Sequence, residues 1–271
     1  MTYRHLLSDA AENLPTVLCG YWDDVRETSS LADVLKVIET LFADSGQEPA
    51  MVDVRERGQK SARRQSYRSF LRKGANIEID EISVHARDSD PMAQTWTPPA
   101  FATFQFNDRV NFVGLYASHE NIGLLDSEQI LRMAARLDAG AAYRFSYPLA
   151  FSPVAYMSRL SFSPNERRFG SVTDTDSLRV ANYRDHCWRG MRAHDGFVRD
   201  IYDLVVLNDL AANRTVGRSS LREWVTADQG RGSWSKEARF SLWTLGSADP
   251  VTLQESLDKE RILLAGFGPD D

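Results

Sequence analysis

The chain has 271 residues, with 42% hydrophobic and 26% charged residues. These values match a globular protein and exclude wholesale disorder, collagen-like repeats and linker-dominated chains. The net charge of −6 argues against the basic footprint of a general nucleic-acid binder and suits either simple solubility or a basic partner.

Thr16 to Trp22 is a short apolar run, read as a first core strand. Thr28-Ser29-Ser30 then precede Leu31, Val34, Leu35, Ile38, Leu41 and Phe42, whose spacing predicts a one-sided helix. Ser30 and Asp33 resemble a capping box, and Gly46 would end the helix. Residues 55–73 are basic, with Arg55, Arg57, Lys60, Arg63, Arg64, Arg68, Arg72 and Lys73 against Glu56 alone. The partial stripe Tyr67, Phe70 and Leu71 predicts a surface helix here, closed by Gly74. Residues 76–85 alternate, with Ile77, Ile79, Ile82 and Val84 among acids and a phase slip near Asp80-Glu81. That pattern is a strand with a bulge.

Phe101–Phe106 and Arg109–Ala117 form a predicted hairpin around Asn107-Asp108. Asp126 with Gln129 caps a predicted helix through Asp138, which buries Ile130, Leu131, Ala134 and Leu137. Ala142–Tyr147 and Val154–Phe162 read as strands, and the turn-rich residues 163–177 as a linker or long loop. Beyond it come a hydrophobic burst at Ile201 and Leu204–Leu207, a short helix opened by Ser220 and Glu223, and a strand at Phe240–Leu245. Asp249-Pro250 starts a helix through Lys259, and Ile262–Phe267 reads as a last strand. The expected fold class is α+β: a mainly antiparallel sheet with flanking helices over residues 1–162, plus a smaller αβ unit over 163–271. Ile77, Ile79, Phe104, Phe112 and Leu131 are the expected core.

Catalytic signatures are missing. The histidines His5, His85, His119, His186 and His194 fit no zinc spacing, and no His-Glu-x-x-His occurs. There is no Gly-x-Ser-x-Gly elbow and no glycine-rich phosphate cradle. Cys19 and Cys187 cannot build a disulfide framework, and the first residues lack the apolar stretch of a signal peptide. No cofactor and no membrane contact are expected, and the cytoplasm is the expected location. Two groups of acids stand out: Asp23-Asp24 and Glu27 beside Trp22, and Glu78, Asp80, Glu81, Asp88 and Asp90. Solvated surface is the first reading of these acids, contact to a basic partner the second, and acid/base or metal chemistry the third, since no spacing singles out an acid/base pair. The basic stretch 55–73 and the acidic stretch 74–90 also suit pairing with each other. Trp96, in Gln-Thr-Trp-Thr-Pro-Pro, is placed in a loop where it would serve as an apolar anchor.

Gly20-Tyr21-Trp22-Asp23-Asp24-Val25-Arg26-Glu27-Thr28, opening a helix, resembles the N-terminal signature of the immunity protein 52 family of bacterial toxin-immunity proteins. That signature is a Tyr-Trp, a short polar stretch, an Arg-Glu-Ser-like cap and an amphipathic helix. Ser69-Phe70-Leu71-Arg72-Lys73-Gly74-Ala75-Asn76 resembles the family's leucine-arginine-glycine-asparagine step. The paired strands of Phe101–Ala117, the helix after them and Tyr156-Met157-Ser158 extend the likeness over about residues 16–162. Asp23-Asp24 stands where the family commonly carries Gly-Pro. Leu221–Val225 resembles segments of other immunity-type proteins.

The resemblance implies a non-enzymatic α+β protein that binds and neutralises a cognate toxin. Such toxins are often nucleases of restriction-endonuclease fold delivered by type VI secretion. A nuclease needs a basic cleft, so Trp22, Asp23, Asp24, Glu27, Glu78, Asp80, Glu81, Asp88, Asp90 and Trp96 become the candidate partner-binding residues. The chain itself would then contact no nucleic acid. A metal-dependent hydrolase using the acids near 78–90 is the alternative, and a bacterial scaffold or adaptor a third reading.

Overall fold

A computed structural model describes residues 16–25, 31–44, 47–73, 78–86, 100–107, 110–118, 125–148, 157 and 174–268. Its centre is one ten-stranded sheet. In chain order the strands are β1 (Thr16–Val25), β2 (Pro49–Glu56), β3 (Arg63–Ser66), β4 (Ile79–Ala86), β5 (Ala100–Asn107), β6 (Val110–Ser118), β7 (Ala139–Pro148), β8 (Leu204–Leu207), β11 (Ser233–Glu237) and β12 (Phe240–Thr244). A small separate hairpin supplies β9 (Thr215–Val216) and β10 (Ser219–Ser220). The order across the sheet is β11-β12-β8-β7-β1-β6-β5-β4-β2-β3, and every neighbouring pair is antiparallel. The α+β class with a mainly antiparallel sheet is therefore what the chain adopts.

Both faces of the sheet are covered, and chain order decides by what. Helices α1 (Leu31–Asp44), α2 (Tyr67–Lys73) and α3 (Ser127–Arg136) lie on one face. There Val34, Ile38, Phe42, Phe70, Ile130 and Ala134 meet Trp22, Val52, Ile82 and Val113. Helices α4 (Asp174–Trp188), α5 (Asp209–Ala212), α6 (Leu221–Thr226) and α7 (Pro250–Lys259) come later in the chain. On the other face Val180, Leu221, Val225 and Leu257 meet Tyr21, Phe112, Tyr143 and Trp243. Strand alternation makes this two-sided core. In β8, Leu204 and Val206 join the first face, and Val205 and Leu207 the second.

The expected boundary at 162/163 does not divide the sheet. Strands β8, β11 and β12 lie beyond it, yet β8 pairs with β7, from Ala141 opposite Leu207 to Arg144 opposite Leu204. The physical reason is burial. Tyr143 and Phe145 on β7 are at most 1% exposed because the later segments cover them. The C-terminal third is thus half of one core rather than a unit with its own.

Residues 55–73 form a hairpin and a short helix, not one long helix. Strand β2 runs to Glu56, the chain turns at Gly58 (φ +80°), and β3 returns with Arg63 opposite Val54 and Ser66 opposite Met51. Among the described side chains of α2, Tyr67 and Phe70 alone are buried, too few to drive a longer amphipathic helix. Next to β2, Arg55 faces Glu81 and Glu56 faces Ile79, so Asp80 is the extra residue of a bulge where the phase slip predicts one. The β5–β6 hairpin closes with Asn107 opposite Val110, one residue later than expected. Helix α3 is capped as predicted, Asp126 accepting the Gln129 N–H at 2.7 Å.

Ile262–Phe267 is not a strand. Val198 and Leu263 form a single bridge, and the run fills the core as irregular chain, with Ile262, Leu263, Leu264 and Ala265 all buried. Helix α4 begins at Asp174, inside the expected loop. Of the expected core, Ile79 and Phe112 are buried and Leu131 is half-buried. Ile77 and, apart from the buried Met157, the expected strand Val154–Phe162 lie outside the described residues. Among the described residues no helix is long and apolar enough to cross a membrane.

Candidate functional site

Trp22 and Asp23 sit in β1, the strand between β7 and β6 at the middle of the sheet. Alternation sends Trp22 to the first core, where it is fully buried and its indole Nε1 donates to the Ile130 carbonyl at 3.1 Å. It sends Asp23 to the opposite face. There Asp23 is 1% exposed, and its Oδ1 accepts from the Tyr21 hydroxyl at 3.0 Å and from the Asp24 N–H at 3.0 Å. Its Oδ2 accepts from the Tyr183 hydroxyl of α4. The Arg199 guanidinium stands 4.9 Å from the ring centres of both Tyr21 and Tyr183. A carboxylate can be buried only when its lone pairs are filled in this way. Trp22 and Asp23 are therefore corrected from partner contacts to core groups: the first packs a helix, and the second ties α4 to the sheet.

Asp24 is half-buried and left-handed, with φ +53°. Its Oδ2 accepts the backbone N–H of His194 at 2.9 Å. Across the ladder, between the pairs Asp23–Ala141 and Val25–Ala139, stands Gly140. A Cβ on Gly140 would lie 2.5 Å from the His194 nitrogen, so the turn at Ala193–Asp195 rests on bare backbone. Burial pushes the Asp24 carboxyl above its ordinary range, with the Asp23 charge adding to the rise, while the His194 N–H pulls it down.

The acids in and just before β4 face arginines in and just after β2. Glu81 lies 3.2 Å from Arg55, and Arg57 reaches Glu78 at 3.3 Å and Asp80 at 3.6 Å. One strand turn away, Asp53 holds Arg64 through two bonds of 2.9 and 2.8 Å and His85 at 2.8 Å. The Arg64 guanidinium, with His85, holds the Asp53 carboxyl below its ordinary range. Adjacent blocks of opposite charge thus pair across strands, and Glu78, Asp80 and Glu81 reach a partner only in company with Arg55 and Arg57. Glu27, Asp88, Asp90 and Trp96 lie outside the described residues. Among the described residues no group of three or more His, Cys, Asp or Glu side chains is gathered as metal ligands would be.

A cleft of about 670 Å³ lies elsewhere, between the β9–β10 hairpin, α6 and α7. The capping box at Ser220 and Glu223 and the Asp249 cap set the directions of its two helices. Leu253 and Val216 are buried in its floor, and Trp224 is half-buried beside them. Arg231 lies 4.2 Å over the Trp224 ring and donates to its carbonyl at 2.6 Å. The sequence marks this region only through its caps, because its residues are far apart in the chain and carry no motif.

No protein-family model matches the chain, and no curated protein sequence matches it. Among solved structures, the fold is similar to that of the Pseudomonas aeruginosa T6SS protein PA0821, with a TM-score of 0.54 and 10% identity over 92% of this chain and 77% of that one. At that identity the likeness speaks for a shared fold.

Proposed function

We propose that this chain is a cytoplasmic immunity protein of a type VI secretion system. It binds and neutralises a cognate toxin, a nuclease of restriction-endonuclease fold, by protein–protein inhibition and without catalysis of its own. The observation that carries this reading is the fold likeness to a T6SS protein over 92% of the chain. It is supported by the immunity-like segments around Gly20–Thr28 and Ser69–Asn76. The pairing of the largely covered Asp80 and Glu81 with Arg57 and Arg55 favours it over a hydrolase built on those acids, since a general acid or metal ligand needs a carboxylate open to the substrate. The test is co-expression with a candidate cognate nuclease toxin. Cells producing both proteins should survive, and the two should co-elute as a stoichiometric complex. Survival of cells with the toxin alone, or death despite the pair, overturns the reading.

A further inference from the structure

We propose that the pocket between α1 and α3 receives one large apolar side chain of a partner protein, from a segment that carries carboxylates beside it. Helix α1 lines the pocket with Val37 and Thr40, and α3 with Arg132, Met133 and Arg136, around about 240 Å³. Sites for cofactors and other small molecules run from roughly 300 to 1,000 Å³, so this space suits a single side chain.

The pocket is apolar inside and cationic at its rim. Val37 and Met133 are buried. The Thr40 hydroxyl donates to the Lys36 carbonyl at 2.7 Å, one turn back in the same helix, so its hydrogen bond is already made. Arg132 and Arg136 stand four residues apart on α3, hence on one side of it, and both are exposed. No carboxylate is among the lining residues. The acid beside them is Asp33, in the first turn of α1, which reaches Arg136 at 3.8 Å with both side chains more than a third exposed. Such a pair is weak. Arg132 makes no hydrogen bond or ion pair within the chain. On α1 the exposed Lys36 lies on the same side as Asp33, Val37 and Thr40. Three cations thus stand against Asp33 and, a turn further along α3, Glu128, while the lining itself is wholly cationic. Carboxylates next to the anchor match the guanidinium rim, and the apolar floor takes the anchor itself. The site is independent of the toxin-neutralising reading.

Nuclear magnetic resonance of the full chain with labelled methionine methyls tests it. Met133 is one of 6 methionines and reports from the pocket floor, its signal identified by Met133→Leu. Acetyl-Glu-Phe-Glu-amide should shift that signal saturably, through the ring current of the inserted Phe. Acetyl-Glu-Ser-Glu-amide should leave it unmoved, and acetyl-Lys-Phe-Lys-amide should bind about tenfold more weakly or worse. Arg132→Glu should weaken the acidic peptide by about tenfold or more, as loss of bonds to a charged group implies. Arg132 is exposed, so an unchanged thermal midpoint separates lost binding from lost folding. No shift with the acidic Phe peptide, equal binding of the basic one, or full affinity in Arg132→Glu overturns the proposal. So does hexanoate or a short single-stranded oligonucleotide that moves the Met133 methyl as tightly as the peptide.

Discussion

The Asp24 carboxylate holds the backbone N–H of His194, 170 residues further along the chain, at 2.9 Å. One end of β1 is thereby joined to the turn that precedes β8, over Gly140, where a side chain would not fit. The contact belongs to neither half of the sequence alone.

Desolvation raises the Asp24 carboxyl above its ordinary range, so the folded chain holds that proton more tightly than the unfolded one. Ionised Asp24 then costs stability at neutral pH. The cost is relieved as pH falls through the raised folded value. Asn keeps an oxygen for the His194 N–H and tolerates the left-handed backbone. Asp24→Asn should therefore be more stable than the parent at pH 7, with the difference shrinking toward pH 4. Urea midpoints at the two pH values measure it, and a constant deficit at both would contradict the burial argument.

Trp22 is fully buried and bonded to α3. Trp22→Ala should cost about 3–5 kcal/mol of folding stability. Denaturant titration should register the loss with no partner present. A variant of parental stability that fails only in partner binding would return Trp22 to an interface.

The sheet continues through β7 into β8, so residues 1–162 expressed alone would leave Tyr143 and Phe145 uncovered. The fragment should show no cooperative thermal transition, whereas the full chain should melt in one. Calorimetry of both decides, and a sharp transition in the fragment would restore two independent units.

Arg55 and Glu81 are directly opposed across β2 and β4. Glu81→Lys sets two cations against each other and should destabilise by about 1 kcal/mol. Adding Arg55→Glu should recover most of that loss. A double-mutant cycle from denaturation curves reads the coupling, and no recovery in the double variant would mean that the pair contributes nothing to the sheet.

Local chemistry was legible from the residues themselves. The caps at Asp126, Ser220 and Asp249 appear where a side-chain oxygen stands two or three residues before an open N–H. The bulge at Asp80 follows from a slip in alternation, and α1 from its apolar spacing. These features depend on neighbours a few residues apart, and period and turn chemistry suffice for them. What only the tertiary structure decided is which surfaces meet. An acidic pair after Tyr-Trp reads as exposed until β6 and β7 enclose β1 and the Tyr183 hydroxyl arrives from α4 to donate to Asp23. The basic run reads as one helix until Met51–Val54 pairs with Arg63–Ser66. The cleft gathers Arg218, Trp224 and Lys259 from three separate elements. Such outcomes depend on desolvation and pairing between distant segments, and residue order carries no local signal for them.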